Sequence, residues 1–204
     1  PASSQYGANA LHGAINIVSH RPGPQPWSFG VEAGPDDTAT GRVSAGSPHW
    51  RLDAQGMDTN GFRDAAPVGE QKLGLAHATD LGRWQVTSRL AASNLNQETA
   101  GFIVGKNAYR KAGLRRDNVN PEAYRDASSA RASSAWRTVL GEDTALSITP
   151  YARWSYMDFL QHFLLGQPTE TNGQRSAGVL LDLRKPLPGG IDWQGGAVVE
   201  YARG

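Results

Sequence analysis

The chain has 204 residues, no cysteine, and 20 Lys and Arg against 19 Asp and Glu. The missing cysteines exclude disulfides, zinc–thiolate sites and cysteine catalysis within this stretch. The near balance of charge lacks the basic excess of a nucleic-acid binder, so nucleic acid is not an expected partner.

Glycine is frequent, at 24 residues, with six Trp and six Tyr, which suits a β-rich chain with many turns. No window approaches the roughly 18 consecutive apolar residues of a membrane-spanning helix. The opening Pro1-Ala2-Ser3-Ser4 has neither an initiator Met nor a basic signal region, so a start further upstream is expected.

In chain order, the first predicted element is a short strand at 13–19, where Ile15 and Ile17 alternate with Asn16. Gly7 and Gly13 suit tight backbone turns before it. A proline-rich link follows at 21–26; its prolines cannot donate to a ladder and hold it extended. About nine strands come next, near 27–33, 38–46, 49–58, 70–79, 82–94, 130–140, 144–157, 174–184 and 190–202. The clearest, 144–157, sets Leu146, Ile148, Pro150, Ala152, Trp154 and Tyr156 on one face against Ser147, Thr149, Tyr151, Arg153 and Ser155. A single helical turn is expected at 120–125, with Asn120 as cap and Pro121 in the first position.

Alternation alone does not say whether the apolar face packs on a second sheet or meets lipid. Several strands run about 10–13 residues, matching a tilted membrane-spanning strand. Trp50, Trp84, Trp154, Tyr156, Trp193 and Tyr201 fall near predicted strand ends on the apolar face, where interfacial girdles place such rings. Every second predicted connection is tight (47–48, 80–81, 141–143 and 186–189), whereas most others are long. That parity belongs to an outer-membrane barrel with short periplasmic turns, and a soluble meander has no reason for it.

The run from Tyr6 to Ser19 then gains meaning. Tyr6-Gly7, Ala10, Gly13 and Ile15-Asn16-Ile17 resemble, in order and spacing, the end of the plug in TonB-dependent outer-membrane receptors. That family folds as a plugged barrel of about 22 strands. Its members import ferric siderophores, cobalamin, haem or oligosaccharides with energy delivered through TonB. The resemblance implies plug at 1–20, linker at 21–26 and the first part of the barrel at 27–204. It also implies an outer-membrane location, with TonB, outer-membrane lipid and lipopolysaccharide, and a ferric siderophore-like ligand as partners. About nine strands cannot close such a ring, so a curved open sheet is expected.

Candidate ligand contacts fall in the long connections. The segment 95–129 carries Lys106, Arg110, Arg115, Arg116 and Arg125 with Phe102, Tyr109 and Tyr124, a mixture able to attract an anionic, aromatic ligand. Phe159 and His162 follow the strand at 144–157. Lipopolysaccharide phosphates or plain solvation explain the same charges. Haem is disfavoured, because Asn120-Pro121 continues as Glu122-Ala123 and the haem-receptor signature around such an Asn-Pro is missing. The histidines form no metal-ligand spacing and no nucleophile elbow appears, so no metal, cofactor or catalytic residue is assigned. The inward-facing set Arg42, Arg51, Asp53, Arg89, Arg131, Arg137 and Arg153 reads as wall structure that touches the plug. A soluble β-sandwich binding module and an outer-membrane enzyme are the alternatives; neither accounts for the Tyr6–Ile17 motif.

Overall fold

The computed structural model describes residues 20–204; the plug-like motif Tyr6, Gly7, Ala10, Gly13, Ile15, Asn16 and Ile17 and the strand expected at 13–19 lie outside them. Nine strands follow one another: β1 (Gln25–Ala33), β2 (Ala39–Gly46), β3 (Trp50–Thr59), β4 (Val68–Leu81), β5 (Trp84–Glu98), β6 (Tyr124–Leu140), β7 (Thr144–Leu160), β8 (Thr169–Leu187) and β9 (Ile191–Arg203). Each pairs antiparallel with the next in a single sheet of order β1 to β9, and β1 does not pair with β9. The sheet is open, as nine strands without closure require.

Register shows what the alternation achieves. One row across the sheet reads Leu52, Leu75, Leu90, Ala132, Ala152, Ala177 and Tyr201. The adjacent row, on the opposite face, reads Arg51, Ala76, Arg89, Ser133, Tyr151, Gly178 and Glu200. A slip of one residue would exchange the two faces, so the pattern fixes the pairing.

Among the described residues no second layer covers the apolar face. Trp27 is 75% exposed and Val199 74%, and Leu75, Leu90, Trp154, Leu181 and Trp193 are exposed as well. Among the described hydrophobic residues only Val86, Ala108, Ala123 and Ala135 are buried. A sandwich needs a second sheet on this face, and none exists among the described residues.

Strands run further than the alternation predicted, and mostly at one end. β6 begins at Tyr124 and β8 at Thr169, while β5 continues to Glu98 and β7 to Leu160. In β6 both faces are polar there, with Arg125, Asp126, Ser128 and Ser129, so period two loses contrast although the ladder continues. Trp154 and Tyr156 therefore lie inside β7 and not at its end.

The short connections are 47–49, 82–83, 141–143 and 188–190; the longer ones are 34–38, 60–67, 99–123 and 161–168. Parity of loop length is as expected, with two turns displaced: Gly82 has φ +60°, so the two-residue turn forms at Gly82-Arg83 and not at 80–81, and the turn expected at 186–189 forms at 188–190 because β8 runs through Pro186 and Leu187. The helical turn expected at 120–125 is a plain turn closed by the Ala123 amide donating to the Asn120 carbonyl, 3.1 Å, and cut short by β6. A short 3₁₀ turn forms instead at Ala108–Arg110. Pro150 sits mid-strand on the apolar face. Pairing of β6 with β7 skips from Ser133–Tyr151 to Trp136–Ile148 around it, because a proline nitrogen has no hydrogen to donate.

Candidate functional site

Because the sheet is antiparallel, all four longer connections gather at one end, and they are tied to each other. Loop 99–123 grips loop 60–67. Arg63 Nε donates to the Asp117 carbonyl at 2.7 Å, and Arg116 Nη1 to the Phe62 carbonyl at 3.1 Å. Asn118 Nδ2 donates to the Ala65 carbonyl at 3.1 Å. Arg116 also stacks on the Phe62 ring at 4.8 Å and forms an ion pair with Asp36 at 2.8 Å. Asn60 Nδ2 then binds Asp37 at 2.7 Å, which closes the link to loop 34–38. On the other flank, Gln167 Nε2 donates to Glu122 Oε1 at 2.7 Å, joining loop 161–168 to loop 99–123. The Glu122 carboxyl is held below its usual range, first by its own backbone amide, then by Gln167 and by Asn120.

Within this rim the structure brings some predicted residues together and disperses others. Arg125 lies over the Phe159 ring at 5.9 Å, on the polar face of β6 and β7. Tyr109 and Arg110 form a local pair at 5.5 Å. Tyr124 points to the opposite face and its hydroxyl meets Asp158 at 3.3 Å. Arg116 is occupied by Asp36 and Phe62, so it braces the loops. Phe102, at 78% exposed, Lys106 and Arg115 stand in solvent without a side-chain partner among the described residues. His162 packs edge-on against Phe163 at 5.7 Å, and its Nδ1 is buried without a hydrogen bond.

Sequence reading missed Asp36, Phe62, Arg63, Asp117 and Gln167. Each pairs with a residue far along the chain, and no local pattern announces such a partner. Past the strand expected at 144–157, β7 runs on to Leu160, and Phe163, Leu164 and Leu165 form an exposed tip.

Below the rim, the polar face carries the cationic set read from the sequence. Arg42 pairs with Glu32 at 3.1 Å, Arg51 with Asp53 at 2.7 Å and Arg153 with Glu200 at 2.6 Å. Arg89, Arg131 and Arg137 have no ion pair among the described residues, and Arg89 Nε is buried without a hydrogen bond. All three border a cleft of about 680 Å³ that His20 and Arg21 also line, so these two residues before β1 lie on this face. Tyr151 covers the bare backbone of Gly178: a Cβ there would come within 2.7 Å of the Tyr151 hydroxyl and 2.5 Å of the Val199 carbonyl.

Two solved structures share this architecture over nearly the whole chain. The ferric-catecholate import receptor Fiu of Escherichia coli K12 superposes with a TM-score of 0.69 at 17% identity, covering 99% of this chain and 35% of that one. The siderophore receptor PiuA of Acinetobacter baumannii gives a TM-score of 0.74 at 14% identity, covering 98% of this chain and 33% of that one. The chain has the fold of a barrel segment of a TonB-dependent receptor. It spans about a third of each receptor. No protein-family model and no curated protein matches the sequence. A barrel wall needs alternation and turn parity more than it needs particular side chains, so the same fold can occur at such low identity.

Proposed function

We propose that this chain is part of an outer-membrane receptor that captures a ferric siderophore-like ligand and imports it with energy delivered through TonB. In this reading residues 1–20 end the plug, 21–26 link it to the wall and 27–204 begin the barrel. The apolar face meets hydrocarbon, and the polar face with Arg89, Arg131 and Arg137 backs the plug. The tied loops stand outside the cell. There Phe102, Lys106, Tyr109, Arg110, Arg115, Arg125, Phe159 and His162 are offered to the ligand, with lipopolysaccharide around the rim. Arg116 and Tyr124 hold the rim in place.

The observation that carries the proposal is the apolar face of one open nine-stranded sheet, which exposes Leu75, Leu90, Trp154, Leu181 and Trp193 with no second sheet over them among the described residues, and which water cannot solvate without cost and lipid can. Support for the ligand class comes from the two receptors of similar fold, one described as importing ferric catecholates and both as siderophore or catecholate receptors. The arrangement of the rim is compatible with such a ligand: cations and aromatic rings converge at one end of the sheet, where they attract an anion bearing aromatic groups.

Uptake of radiolabelled iron as a ferric catecholate siderophore, in bacteria carrying or lacking the protein, is the test. Uptake should require both this protein and TonB. Iron accumulation that is the same without the protein, or that persists undiminished without TonB, overturns the reading.

A further inference from the structure

The cations of the polar face divide into two groups. On β1 to β4 and β7 to β9 each has an acid beside it: Arg42 has Glu32, Arg51 has Asp53, Lys72 has Glu70, Arg153 has Glu200 and Arg184 has Asp182, at 2.6–3.1 Å. The middle of the sheet differs. Polar-face positions of β5 and β6 hold Arg89, Arg125, Arg131 and Arg137 and no Asp or Glu, because Glu98 and Asp126 fall on the opposite face. Both strands have their neighbours, β4 and β7, in place, so no missing strand accounts for the shortage of acid.

Three of these arginines border the cleft of about 680 Å³, and Arg21 lines it from the stretch before β1. Asp53 is the one acid among the described residues that line it, and Arg51 takes both of its carboxylate oxygens, each at 2.7 Å. Arg153 lines it too and is spent on Glu200. Arg21, Arg89, Arg131 and Arg137 have no ion pair among the described residues, and Arg89 Nε is buried without a hydrogen bond. The 19 residues before His20 contain neither Asp nor Glu and bring no counter-charge of their own. A concave site lined by one sign of charge concentrates its potential and draws in the opposite sign. Arg89 pairs with Ser133 and Ala91 with Arg131, which makes the two arginines diagonal neighbours about 7–8 Å apart. Arg137 lies six residues beyond Arg131 along β6, about 20 Å away. One carboxylate or one phosphate meets only part of that spread; several linked anionic groups meet all of it.

We propose that Arg21, Arg89, Arg131 and Arg137 form a binding site for a soluble polyvalent oxyanion between residues 20–21 and the β5–β6 wall. The Ser133 hydroxyl, beside Arg89 in the register, adds a donor. Guanidinium forks suit oxyanions because each can give two parallel hydrogen bonds. Since Arg21 comes from before β1 and the other three from the sheet, the bound anion clasps that stretch to the wall. Oligophosphates and polycarboxylates share the required chemistry.

The complete receptor proposed above, purified in a neutral detergent, is titrated calorimetrically with inorganic tripolyphosphate, with citrate and with orthophosphate. Tripolyphosphate or citrate should bind at least about tenfold more tightly than orthophosphate, and added salt should weaken that binding. Whichever of the two binds identifies the source of the anionic groups. The double variant Arg131→Gln, Arg137→Gln should lose at least about tenfold in affinity, and Arg21→Gln about threefold or more. Arg42→Gln, whose cation is already paired with Glu32, should bind as the parent does. Failure of the parent to bind either polyvalent anion overturns the site; acidic side chains from elsewhere in the receptor filling the cleft would give that result. No variant has to fold for that comparison. Equal binding of orthophosphate overturns the polyvalent occupant, and binding that survives both the Arg21 and the double substitution overturns these residues as its partners. Iron uptake is read separately. Its loss while the anion still binds removes the uptake reading and leaves this site, and the converse removes this site alone.

Discussion

Arg116 concentrates several weak interactions in one side chain: an ion pair with Asp36, a hydrogen bond to the Phe62 carbonyl and a stack on the Phe62 ring. An exposed ion pair contributes about 0.2–1 kcal/mol and an exposed cation–π contact about as much. Arg116→Ala should therefore ease opening of the rim by about 1 kcal/mol, or about fivefold. Limited proteolysis should show that acceleration at 60–67 and 99–123 and none in the strands; unchanged cleavage would mean that the loops are held by something else. Glu122 makes a prediction about pH. Its folded pKa is depressed, so the stability it lends to the contact with Gln167 is present above the ordinary carboxylate range and is lost as pH falls through the lowered value. Amide protection factors in 161–168, corrected for intrinsic exchange, should stay flat from neutrality into mild acid and fall only below that range. Glu122→Gln should abolish the fall.

Whole strands are governed by which face a side chain occupies, more than by its identity. Leu90 lies on the apolar face, six positions into β5 from Trp84, whereas Ser155 of β7 lies on the polar face between Ser129 and Gln174. The same substitution should therefore have opposite consequences. If the apolar face meets lipid as proposed, Leu90→Arg places a guanidinium near the bilayer midplane and should cost about 2–4 kcal/mol, while Ser155→Arg should cost less than about 1 kcal/mol. Denaturant unfolding, from lipid vesicles, of the complete receptor proposed above distinguishes the two, and equal losses would refute the assignment of faces. The interruption at Pro150 belongs to this scale too. Its missing donor leaves a gap in one ladder, and the long pairing on either side, from Arg125–Phe159 to Leu140–Thr144, carries the strand past it.

Across the molecule, the apolar band is edged by aromatic rings at two levels. Trp50, Trp84 and Trp193 sit close to the short turns, and Trp154 and Tyr156 sit well above them. In vesicles, bromines placed near the headgroup should quench tryptophan fluorescence more than bromines at the chain ends. Stronger quenching from the chain ends would place these rings at the wrong depth. The open edges have a consequence of their own: β1 and β9 each present an unpaired ladder, so the described sheet cannot be an independent unit in lipid, where an unsatisfied backbone group costs several kcal/mol. Close matches to about a third of two much longer receptors fit that requirement.

The sequence by itself determined strand number, faces and loop parity. Side chains such as Leu146, Ile148 and Trp154 alternate with Ser147, Thr149 and Arg153, and in a strand that period has only one geometric meaning. The strand ends beyond the apolar band were not legible, because residues such as Arg125, Asp126 and Ser128 are polar on both faces while the ladder that holds them is made by backbone. The turn at Gly82-Arg83 was legible in principle, since glycine alone adopts its φ without strain. Only the tertiary structure decided the rim. Arg116 and Asp36, or Gln167 and Glu122, meet because antiparallel pairing carries distant loops to the same end of the sheet, and no spacing along the chain encodes that meeting. Partnership between loops is a property of the sheet's register, and the register appears once the strands have paired.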